Sequence, residues 1–276
     1  QILGASFLDS VSTPIDATLE RSSDNVDWML RAALDIGDDS MVYASAGTGT
    51  KSGGFQTVNG AAEDREFDDE DTTTYELGVK STLLDARLRI NAAAFYSEIE
   101  NFQAQRQLET GIGTYVSNES KVETSGVDLQ VEAAPMPNLV LSAGLLYMHK
   151  YEITDGPEKG ADLPFTAEFS GTLAATLVFP LGDGGVYWRT DYSYMDDHVT
   201  NVASAAQLRD ADYDNRNLVN SKLGWRNDSW NVSIWGKNLT DDKYAMQTAA
   251  PFLVSGMDAY FLAPPRTFGA TVRYTF

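Results

Sequence analysis

Apolar and polar residues alternate singly along most of this chain. In the last ten residues Phe268, Ala270, Val272, Tyr274 and Phe276 share one parity, and Thr267, Gly269, Thr271, Arg273 and Thr275 share the other. Side chains of a strand alternate faces with period two, so the segment predicts a strand with one apolar and one polar face. The pattern recurs upstream. Trp28, Leu30, Ala32 and Leu34 alternate with Met29, Arg31 and Ala33. Tyr75, Leu77 and Val79 oppose Glu76, Gly78 and Lys80, and Val127, Leu129 and Val131 oppose Asp128, Gln130 and Glu132. Residues 165–179 read as one strand, with Phe165, Ala167, Phe169, Leu173, Ala175, Leu177 and Phe179 on one side. Val186, Trp188, Thr190, Tyr192 and Tyr194 stand against Arg189, Asp191 and Ser193. About eleven such segments can be read.

Their connections alternate between short and long. DIGDDS, LLDA, APMPNL, PLGDGG and RNDS are tight turns, whereas residues 47–71, 196–214 and 239–264 are long and polar. In an antiparallel meander this puts every short turn at one rim and every long loop at the other. Transmembrane β-barrels have that arrangement. No run approaches the ~20 apolar residues of a membrane-spanning helix. The pattern therefore predicts an all-β, antiparallel transmembrane barrel. Trp28, Tyr43, Tyr75, Phe102, Tyr151, Trp225 and Trp230 lie near strand ends, where an interfacial aromatic girdle is expected. The terminal strand, with Phe268, Val272, Tyr274 and Phe276, is expected to close the barrel wall. Residues 1–23 read as the end of a preceding strand and an outside loop, and residues 24–276 as barrel.

Charge and composition narrow the picture further. The net charge is −20, from 40 acidic and 20 basic side chains, which argues against a nucleic-acid partner. The acids gather between the strands, as in residues 63–71 and 210–214, and read as solvated loops. Cysteine is absent, which removes disulfides, thiolate metal clusters and thiol catalysis.

Several stretches resemble one family. VYASAGTGTKSGGF (42–55), TYELGVKSTLLDARLRINAAAFYSEIENFQ (74–103), SGVDLQVEAAP (125–135), WGKNLTDDKY (235–244) and PPRTFGATVRYTF (264–276) are similar, in order, to the barrel strands of TonB-dependent outer-membrane receptors. The resemblance implies the C-terminal half of a barrel of about 22 strands. The family's plug and its TonB-contacting box have no counterpart here. It further implies TonB-driven import of a scarce ligand, first a ferric siderophore, across the bacterial outer membrane. Oligosaccharide import, a passive porin or adhesin, and a soluble β-rich binding protein are the alternatives. The implied partners are outer-membrane lipid and lipopolysaccharide, TonB through the missing N-terminal region, and the small ligand.

Candidate chemistry is sparse. AGTGTKSGGF lacks the glycine before Lys51 that a phosphate loop needs. DADYDN (210–215) spaces carboxylates as a calcium loop does, but Asn215 replaces the sixth-position glycine and no acid stands at position twelve. His149 and His198 are the only histidines, and haem ligation by His198 has no partner motif. No nucleophile elbow or triad spacing is present, so no enzyme and no cofactor are expected. Ligand contacts are expected from long-loop residues near the outer rim: Arg106, Tyr115, His198, Arg209, Tyr213 and Tyr244. The cations suit an anionic chelate and the aromatics suit catecholate or sugar rings. The acidity of the loops stands against an anionic ligand.

Overall fold

A computed structural model describes residues 20–56, 66–107, 114–156, 158–199, 212–249 and 259–276. Its strands are β1 (Met29–Asp35), β2 (Ser40–Lys51), β3 (Gly54–Phe55), β4 (Glu66–Phe67), β5 (Glu70–Leu83) and β6 (Leu88–Gln107). There follow β7 (Thr114–Met136), β8 (Leu139–Asp155), β9 (Phe169–Leu181), β10 (Gly184–Met195), β11 (His198–Val199) and β12 (Asp212–Tyr213). The last are β13 (Arg216–Arg226), β14 (Trp230–Lys237), β15 (Ala245–Ala249), β16 (Ala259–Leu262) and β17 (Thr267–Tyr274). Eleven of them form one antiparallel sheet in the order β1-β2-β5-β6-β7-β8-β9-β10-β13-β14-β17. These are the eleven segments that the alternation predicts. Each of the other three pairs, β3–β4, β11–β12 and β15–β16, is a small ladder inside one long connection. Their two- to five-residue strands are too short to carry a period-two signal, so the sequence reading leaves them as loop.

Register fixes the faces. Ala92, Leu129 and Leu145 lie in one cross-strand row, and Ala94, Val127 and Tyr147 in the next. Further along the sheet Leu177, Trp188, Leu223 and Ile234 share a row. Many of these side chains are exposed, including Leu77, Leu173, Trp188 and Ile234. An exposed apolar sheet face of this extent would aggregate in water and belongs against hydrocarbon. The opposite face carries the polar residues.

Two strands near the middle overshoot the membrane. β6 has 20 residues and β7 has 23, whereas a tilted strand crosses the apolar core with roughly 9–11. The level at which lipid ends is marked on the outward face. From the row of Tyr75, Tyr96, Ser125 and Lys150 outward runs a chain of ion pairs: Glu98–Lys121 at 2.7 Å, Lys121–Glu123 at 3.9 Å, Lys150–Glu123 at 2.8 Å and Lys150–Glu152 at 3.5 Å. Such a chain does not tolerate lipid tails, so the remainder of β6–β8 projects outside.

Two expectations need correction. The strand read over residues 165–179 begins only at Phe169, because Phe165 has a positive φ (59°) and breaks the ladder. The aromatic girdle is also partly misread. Tyr43 is buried on the inward face, and Phe102 and Tyr151 pack against a small apolar cluster of Ala104, Val122, Ile153 and Leu163. Trp230 does sit at the outward, short-turn end, with Tyr274 at 4.7 Å and Phe276 beyond it. Among the described residues β1 and β17 are each paired on one side only. The barrel closure expected of Phe268, Val272, Tyr274 and Phe276 therefore has no partner strand within these residues.

Candidate functional site

The inward face is built from aromatic rings laid on glycines. The Tyr43 ring covers Gly78 so closely that a Cβ there would lie 2.4 Å from it. Tyr187 covers Gly224 (2.5 Å) and Trp235 covers Gly269 (2.2 Å) in the same way. Only a residue without Cβ allows the ring to lie flat along the wall, and in return the ring protects the backbone that glycine leaves bare. Cations then stack on the rings. Arg31 lies 4.4 Å and Lys80 5.7 Å from Tyr43. Lys222 and Arg226 lie 5.7 and 5.8 Å from Tyr187, and Lys237 lies 5.6 Å from Trp235. Tyr187 also donates to Asn231 Oδ1 at 2.9 Å. Arg189, Lys222 and Trp235 form one inward row, and Arg226, Asn231 and Arg273 form another four residues lower.

The long-loop rim is ordered by polar knots. Arg21 reaches Glu66 (2.5 Å) and Asp69 (2.9 Å), and Asp69 accepts from the Gly53 N–H (2.6 Å) and from Ser23. Gln103 Nε2 donates to the carbonyls of Lys51, Ser52 and Asp68, so the KSGGF stretch is held against the projecting part of β6. A second knot centres on buried Asn238. Its Nδ2 donates to Asp242 O (2.9 Å) and its Oδ1 accepts from the Asp242 N–H (2.9 Å), while Asp242 in turn accepts from the Asn217 N–H (2.6 Å). The NLTDDKY motif is thus a structural clasp joining β13 and the end of β14 to the segment that leads into β17. Sequence reading missed this role; its signal is two Asn/Asp residues four apart beside a strand end.

These bonds set a pH dependence. Hydrogen bonds from Ser23, the Gly53 amide and Arg21 hold the Asp69 carboxyl far below the usual carboxylate range. A depressed folded value contributes stability above the unfolded value of roughly 4, and this is lost as pH falls through the folded value. The Gly53 amide is therefore expected to stay protected in hydrogen exchange at pH 4–7 and to open only in strong acid. In Asp69→Ala, which removes both acceptor oxygens, it is expected to be unprotected throughout that range. Equal protection in variant and parent would refute the knot.

Of the residues singled out from sequence, the structure brings two pairs together. Arg106 and Tyr115 are cross-strand partners at the outer end of β6 and β7, and Tyr115 is half-buried. His198 and Tyr213 are partners in the β11–β12 ladder. His198 is half-buried, with its Nδ1 3.2 Å from Asp196 O. Tyr244 stands apart, half-buried, with the Arg216 guanidinium 5.6 Å from its ring. Arg209 lies outside the described residues. All five described positions are at the long-loop rim.

A meander with an apolar outer face, a polar inner face, short turns at one rim and long loops at the other defines the wall of an outer-membrane β-barrel. Comparison with known proteins makes this specific. The family "TonB dependent receptor-like, beta-barrel" matches residues 2–239, and this chain belongs to that family. It is a family of receptors and transporters, and its barrels lie in the bacterial outer membrane. The chain is 26% identical over 232 residues to the pesticin receptor of Yersinia pestis, covering 81% of this chain and 32% of that protein. It is 27% identical over 272 residues to the catecholate siderophore receptor Fiu of Escherichia coli K12, covering 93% and 33%. The crystal structure of the ferric yersiniabactin uptake receptor FyuA from Yersinia pestis superposes with a TM-score of 0.77 at 22% identity, over 90% of this chain and 37% of that one. This chain thus spans about a third of the length of the curated relatives it matches.

Proposed function

We propose that the protein imports a ferric siderophore across the outer membrane in a TonB-dependent cycle, with this chain as barrel wall and outer loops. The observation that carries the reading is the pair of independent relatives, a pesticin receptor and a catecholate siderophore receptor, each matched over most of this chain. The geometry supports it. The rim presents half-buried aromatics on ordered hairpins, suited to capturing a ligand, and the inward wall is polar and lined with fixed cations. Energy coupling belongs to TonB acting on other parts of the polypeptide. The test is iron-limited growth of a strain lacking its own siderophore receptors, given the full-length polypeptide with or without functional TonB. Uptake of radio-iron, supplied as a ferric tris-catecholate or tris-hydroxamate, is expected to require both. Uptake independent of TonB, or none from either chelate, refutes the reading.

A further inference from the structure

Between β8 and the chain leading into β9 the pairing changes register by two residues. Below the break Tyr147 pairs with Phe169, and the Met148 N–H donates to Glu168 O at 2.7 Å. Continued upward, this register would set Lys150 against Thr166 and Glu152 against Pro164. Instead Glu152 pairs with Asp162, the Ile153 N–H donates to Ala161 O at 2.9 Å and the Leu163 N–H donates to Tyr151 O at 2.8 Å. Four residues, 164–167, therefore stand opposite two, His149 and Lys150. The surplus bows away from β8 and leaves a notch of about 540 Å³, lined by His149, Lys150, Tyr151, Glu152, Asp162 and Glu168. The bow is strained at Phe165, whose φ of 59° is a left-handed conformation that a bulky side chain rarely adopts, and whose ring is 65% exposed. The Phe165 N–H donates to Val199 O at 2.7 Å, which ties the bow to the β11–β12 ladder.

We propose that residues 161–169 are a register switch. They exchange between this bowed state and a zipped state in which β9 runs on along β8 in the lower register. The sequence permits both. Ala161, Leu163, Phe165, Ala167 and Phe169 recur at every second position, and a slip of two residues leaves each side chain on its own face. In the bowed state Leu163 lies beside Tyr151 and completes the apolar cluster of Ala104, Val122 and Ile153. In the zipped state Phe165 takes the place beside Tyr151 and Leu163 moves opposite Ile153, so the cluster stays covered. Zipping replaces the backbone bonds of Leu163, Ile153 and Phe165 with ladder bonds between Lys150 and Thr166, and it relieves Phe165. The two surplus residues pass to the connection from β8, where Gly156 and Gly160 stand at φ 104° and 88° and accept new backbone angles at little cost. The notch closes, and the β11–β12 ladder, in which His198 pairs with Tyr213, is released from the β8–β9 connection. The alternation that reads residues 165–179 as one strand describes the zipped state.

This chain has no cysteine, so a pair introduced into the full-length receptor, freed of any other cysteine, reports one register at a time. Glu152→Cys/Asp162→Cys traps the bowed state and Lys150→Cys/Thr166→Cys the zipped one, because a disulfide needs Cα atoms within about 7 Å. In outer-membrane vesicles under mild oxidant both pairs are expected to crosslink. Phe165→Gly removes the strain of the bow and is expected to slow the 150–166 crosslink about tenfold; Phe165→Val adds to the strain and is expected to speed it by a similar factor. The 152–162 crosslink is expected to respond in the opposite sense. No 150–166 crosslink in either the parent or Phe165→Val overturns the proposal. So does a 150–166 rate that is indifferent to residue 165, which would show the connection fraying rather than slipping. Should Phe165→Val not assemble, Phe165→Gly against the parent carries the same comparison, and an equal or faster 150–166 crosslink in the glycine variant overturns the switch.

Discussion

Leu129→Arg is expected to destabilise the assembled barrel by about 2–4 kcal/mol, the cost of an arginine on the lipid face near the bilayer midplane. Leu129 lies in the middle of the outward apolar run of β7, between Val127 and Val131, with Ala92 and Leu145 as its row partners. Its neighbour Gln130 faces the other way, paired with Asn91 and Gly144. Gln130→Arg is therefore expected to shift stability by only a few tenths of a kcal/mol, as for a surface change. The comparison, by denaturant unfolding in lipid vesicles, tests the assignment of faces across one peptide bond. Equal costs at the two positions would mean that the register-derived faces are wrong.

Gly78→Val is the second large effect expected. Tyr43 is 8% exposed, and the Cβ of any residue at position 78 would stand 2.4–2.5 Å from its ring. The ring has no free direction of escape, since the Arg31 guanidinium lies 4.4 Å from its centroid and Lys80 beyond. Overpacking of this kind costs about 1–3 kcal/mol. The cause can be isolated with Tyr43→Ala, which removes the obstructing ring. In the double variant Tyr43→Ala/Gly78→Val the valine finds space, so its added cost is expected to fall to a few tenths of a kcal/mol. A valine that costs the same with and without the tyrosine would show that backbone conformation, rather than the ring, demands glycine there.

Both predictions depend on which side of the sheet a residue faces, and this much was legible in the sequence. Strict alternation, as in residues 125–133 and 186–194, fixes the strands and their two faces, because a one-residue slip would turn Leu129 or Trp188 into the lumen. The strict order of short and long connections, with the tight DIGDDS and RNDS turns, likewise fixes the meander and its two rims. The acidity of the long connections placed most of the charge at one rim.

Other features were decided only by tertiary structure. Pairings such as Arg106 with Tyr115 and His198 with Tyr213 follow from register across a connection, which no local pattern encodes. Tyr43, Tyr187 and Trp235 read as ordinary strand aromatics until each is found over a glycine of the next strand, Gly78, Gly224 or Gly269. The same holds for the inward cations. Arg189, Lys222, Arg226, Lys237 and Arg273 are scattered over 85 residues of a strongly acidic chain, yet they gather on one face because strand pairing converts sequence distance into adjacent rows. Period-two patterning thus determined how each strand faces, since it is a local steric property of the backbone. Which side chains meet across strands was set by register, and register belongs to the closed set of backbone hydrogen bonds in the whole sheet.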